Sequence, residues 1–69
     1  MLSKSQLRAI RKALPPGAQA RAARRVQVNP STVTRVLRGE FVNADIINAL
    51  LDEIEAVNKV KERARKVAA

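Results

Sequence analysis

The stretch that decides the fold runs from Ala18 to Gly39 and reads AQARAARRVQVNPSTVTRVLRG. Two short amphipathic helices are written into it. Counting about 100° per residue, Ala22, Ala23 and Val26 share one face of the first helix, Ala18 to Val26. Arg21, Arg24 and Arg25 share the opposite face. Gln27-Val28-Asn29 makes a break. Asn29 suits an N-cap, and Pro30 suits a first helical position, where a missing N–H costs nothing. The second helix then runs to about Arg38, and Gly39 stops it. Val33, Val36 and Leu37 form its buried side, while Ser31, Arg35 and Arg38 lie within about 40° of the opposite pole. Helices this short are marginal alone, so flanking segments must cover their apolar faces.

Those segments are helical too. Ser3 with Gln6 matches a capping box, and Leu7, Ile10 and Leu14 follow at helical spacing, giving a helix from about Ser3 to Leu14. Pro15-Pro16-Gly17 ends it, because proline disfavours helix in the residue before it. Downstream, Asn43 caps a last helix and Asp45 complements its N-terminal dipole. Ile46, Ile47, Leu50, Ile54 and Val57 make its apolar stripe, which thins out through Val60, Ala64 and Val67. The expected fold is all-α: one small domain over 1–69, with four helices, or five if the last one breaks. Residues 59–69 form either a basic helical extension or a loose tail.

Length and charge narrow the function. Sixty-nine residues allow one modest core, and with no cysteine no disulfide supports it. The net charge of +8 favours a polyanionic partner. It is segregated: residues 1–40 hold nine Lys or Arg against Glu40 alone, a balance of +8. Residues 41–58 hold four acids and no base, −4, and residues 59–69 hold five bases and Glu62, +4. A uniformly sticky basic chain would not carry such an acidic block. No apolar run is long enough to suggest a membrane span, and the N-terminus lacks a signal peptide's apolar stretch, so a cytoplasmic, nucleoid-associated location is expected.

The Ala18–Gly39 segment resembles the helix-turn-helix of the lambda-repressor-like superfamily, which includes phage Cro and repressor proteins. Its STVTRVLRG portion is similar to the recognition helix of lactose-repressor-type regulators. Ala23, Val28 and Val33 occupy the family's small and hydrophobic positions at spacings of five and five, with Val36 three later. A small residue at Ala23 lets the helices cross closely, while the valines lock their angle. Where the family often has a left-handed glycine in the turn, this chain has Gln27, a substitution costing roughly 1 kcal/mol.

The resemblance implies binding to double-stranded DNA, with Pro30 and Ser31 at the end of the helix that faces base edges. Ser31 can donate or accept, and the Pro30 ring can touch a thymine methyl group. Arg35 is the best candidate for sequence readout, because its planar fork pairs with guanine O6 and N7 together. Thr32 and Thr34 suit phosphate or sugar contacts. Gln19 matches a family position that holds a backbone phosphate, and Arg38, Lys4, Arg8 and Lys12 extend that grip.

Other readings are weaker. Arg21, Arg24 and Arg25 are as well explained by a solvated helix face as by phosphate binding. Phe41, the one aromatic residue, fits a core anchor better than a base-stacking platform. Asp52, Glu53 and Glu55 form a solvated carboxylate cluster, without the histidine or cysteine that a metal site or acid–base pair tends to include. No enzyme, metal, cofactor or small-molecule ligand is expected. The favoured function is a Cro- or repressor-like transcriptional regulator that occludes its operator, with a homodimer through the fourth helix as a further expectation. The alternatives are an accessory or architectural DNA-binding protein, excisionase-like or nucleoid, and an antitoxin-type interaction module.

Overall fold

A computed structural model describes residues 2–68 and is built from four helices: α1 Lys4–Ala13, α2 Ala18–Val26, α3 Pro30–Leu37 and α4 Ala44–Ala68. No strand occurs among the described residues. The Ser3 capping box forms as expected: the Gln6 backbone N–H donates to Ser3 Oγ at 3.1 Å, and the Ser3 N–H donates to Gln6 Oε1 at 2.8 Å. Leu14, placed before Pro15, turns to extended backbone and α1 stops. Gly17 starts α2 in the left-handed region at φ 79°.

Both α2 and α3 end in the same way. Gln27 is left-handed at φ 62°, the only non-glycine with positive φ among the described residues. The Val28 N–H then reaches back to the Ala23 carbonyl at 2.9 Å, and the Gln27 N–H reaches Arg24 at 3.2 Å. After α3 the left-handed residue is Gly39, with Glu40 N–H donating to Arg35 O at 3.1 Å and Gly39 N–H to Val36 O at 3.0 Å. These paired back-bonds satisfy carbonyls that a helix end leaves open, and they reverse the chain sharply. Asn29 enters α3 as the N-cap through its backbone only, with no side-chain cap bond.

The core sits where α2 and α3 close against α4. Ile46, Leu50, Val33 and Val36 are its largest fully buried side chains. Burying each contributes roughly 1.5–3 kcal/mol. Ala18, Ala22 and Ala23 are buried too, and their small size brings α2 close to its neighbours. Leu14, Val28 and Phe41 pack around this cluster, Phe41 as the anchor its position suggested. Asn43 Oδ1 accepts from the Ile46 N–H at 3.2 Å and starts α4.

α4 is one unbroken helix of 25 residues, about 37 Å long. It sets the 43 Å long axis of the molecule. Its apolar face is covered through Ile54 and half-covered at Val57. Beyond that point Val60 is 66% and Val67 87% exposed, so 59–68 is a helical extension carrying an open apolar stripe.

Candidate nucleic-acid interface

Two adjoining clefts flank α3, and no residue of α4 lines either one. The first lies between α1 and the end of α3. Lys4, Arg8, Arg11 and Arg38 surround it, with Leu7 and Leu37 as its apolar floor. The second lies between the starts of α2 and α3 and includes Gln19, Pro30, Ser31, Thr34 and again Arg11. Arg11 therefore joins the two. Among the described residues no acid pairs with Lys4, Arg8 or Arg11, so their charge is available to an anion.

This row has a simple origin. Lys4, Arg8 and Arg11 are spaced four and three residues apart and share one flank of α1, beside the buried Leu7 and Ile10. Lys12 is rotated away from that flank, is exposed and lines neither cleft. Arg11 was missed in the sequence reading, yet the spacing of Lys4, Arg8 and Arg11 contained the signal. Seeing which flank of α1 borders α3 required the packing.

On α3, Ser31, Arg35 and Arg38 are exposed, and Pro30 is exposed at its first position. Thr32 and Thr34 are half-buried, and Thr34 Oγ1 donates to the Pro30 carbonyl at 3.4 Å. Gln19 is half-buried at the mouth of the second cleft. Arg35 is held by two neighbours from the following turn. Its Nε donates to Glu40 Oε1 at 3.2 Å, and its guanidinium carbon lies 5.6 Å from the Phe41 ring centroid. Arg38 Nη1 is 3.9 Å from the other Glu40 oxygen.

The arginines of α2 are divided differently. Arg21 pairs with Glu53, and Arg25 Nη2 donates to Asp52 Oδ2 at 2.8 Å. Both partners lie on α4, so these two arginines join helices, whereas Arg24 is exposed with no such partner among the described residues. Two acids of the α4 block are thereby turned towards α2 and away from the clefts. What remains around α3 is a surface of unpaired α1 bases, short polar residues, and Arg35 and Arg38 beside the single carboxylate of Glu40.

α3 has eight residues and is about 12 Å long. No family model matches the chain, and neither the curated proteins nor the solved structures give a significant match. No helix among the described residues is long and apolar enough to cross a membrane.

Proposed function

We propose that the chain binds double-stranded DNA in a sequence-dependent way, as a lambda-repressor-like helix-turn-helix regulator that occludes its site. The observation that carries this reading is the joining of the two clefts through Arg11. A row of unpaired bases on α1 runs continuously into the exposed start of α3. In this reading Lys4, Arg8, Arg11, Arg38 and Gln19 hold phosphates and set the register. α3 lies in the major groove, where Arg35 pairs with a guanine and Ser31 and Pro30 touch adjacent base edges. The function is binding, with no chemistry carried out on the DNA.

Two copies reading two half-sites gain both affinity and discrimination over one. The stripe Val57, Val60, Ala64 and Val67, half-covered at Val57 and open beyond it, supports α4 as the dimer seam, since its 3-4-3 spacing is that of a paired helix.

Selection of bound duplexes from a randomised library at physiological salt tests the reading. An enriched inverted repeat with half-site centres about one helical turn apart is expected. Binding with no enrichment, and affinity that tracks salt alone, would replace the regulator with an architectural protein.

A further inference from the structure

Glu40 is the only acid among residues 1–44, and it stands beside Arg35 and Arg38 of the proposed DNA-facing surface. A carboxylate there repels phosphate, so it weakens binding to every duplex alike. Its geometry supplies an offsetting role. Gly39, at φ 82°, turns the chain back at the end of α3, and the Glu40 N–H closes on the Arg35 carbonyl. The Glu40 side chain is thus returned alongside the helix it follows. There it takes the Nε edge of Arg35 at 3.2 Å, while Phe41 lies against the guanidinium at 5.6 Å.

We infer that Glu40 is a specificity-determining residue: it holds Arg35 by the Nε edge and leaves the two terminal amino groups free for a guanine. The inference rests on the DNA-binding reading above. An arginine has five N–H donors in a rigid fork, and spending the Nε donor leaves four on the terminal nitrogens. Those terminal groups form the end-on pair that matches guanine O6 and N7. A free arginine side chain loses much rotamer freedom on binding, so one already held in place loses less. Phe41 is itself packed on the core, which ties the orientation of Arg35 to the folded body. Arg38, at 3.9 Å from the same carboxylate, is held more loosely and suits a phosphate.

The experiment measures binding of the full chain to a selected duplex and to variants of it with each of the four base pairs at the position read by Arg35. Glu40→Gln is expected to tighten binding to all four, because a negative charge is lost. It is also expected to shrink the preference for guanine by about two- to fivefold, the scale of an exposed ion-pair coupling. In an Arg35→Ala background the same substitution is expected to tighten binding without changing any preference. Phe41→Leu, with folding checked by its melting curve, should reduce the guanine preference in the same direction. If Glu40→Gln raises all four affinities equally and keeps the guanine ratio, Glu40 is only a repulsive charge and the inference is overturned, while sequence-dependent binding stands. If the unaltered chain prefers no base at any position, the sequence-dependent reading itself fails and the inference falls with it.

Discussion

The backbone N–H of Val28 donates to the carbonyl of Ala23 at 2.9 Å, closing the reversal between α2 and α3. This bond gives the five-residue spacing of the small and hydrophobic positions a physical basis. A helix that ends on a left-handed residue brings the second residue after its end back over its last turn. Ala23 has to be small because the chain folds over it, and Val28 has to be apolar because it lands on the core.

The residue between them holds the least favourable backbone conformation of the reversal. Gln27 at φ 62° and ψ 46° occupies a region where a Cβ is crowded. Gln27→Gly is expected to stabilise the fold by up to about 1 kcal/mol. For a domain of this size that is a rise of about 4–8 °C in the midpoint of thermal unfolding. A lower midpoint would show that the Gln27 side chain contributes more than its strain costs.

Ala23 should tolerate no enlargement. It is fully buried, so Ala23→Leu is expected to cost about 1–3 kcal/mol through overpacking. Urea unfolding would read this as a lower midpoint with an unchanged slope.

Arg11 and Lys12 are neighbours in sequence with different surroundings. Arg11→Ala is expected to weaken binding to specific and random duplexes alike and to reduce the slope of log affinity against log salt by about 1. Lys12→Ala should change that slope less, because Lys12 lines neither cleft. Fluorescence anisotropy over a salt series distinguishes them. Equal slope changes would mean that long-range charge, rather than the Arg11 junction, sets the grip.

Arg25 points the other way. Its exposed pair with Asp52 is worth below about 1 kcal/mol, and it stands outside both clefts. Arg25→Ala is therefore expected to leave duplex preference unchanged and to lower the melting point by a few degrees at most. Loss of preference in this variant would extend the interface along α2.

Removal of residues 59–69 separates folding from pairing. Val60 and Val67 touch little of the body, so the shortened chain is expected to keep its helical body and melt within a few degrees of the full one. Sedimentation equilibrium should find it monomeric where the full chain is dimeric. The same mass for both chains would remove α4 as the dimer seam.

Much of this molecule is determined by local rules. Ser3 and Gln6 start α1, Pro15 ends it, Pro30 and Gly39 bound α3, and the helical spacing of Val33, Val36, Ile46 and Leu50 marks the core. Each depends on residues within one or two turns, or on a periodicity, so each is present in the sequence itself. The distribution of the charges is different. Arg21 and Arg25 read as a free arginine row until α4 brings Glu53 and Asp52 against them. Arg11 reads as one base among several until α1 settles beside α3. Glu40 counts only as the one acid of residues 1–40 until Gly39 turns it back onto Arg35. A charged side chain is long and flexible, and its partner is chosen by which helix flank faces it. Helix spacing places a residue on its own helix, but only the packing of the helices decides what that residue meets.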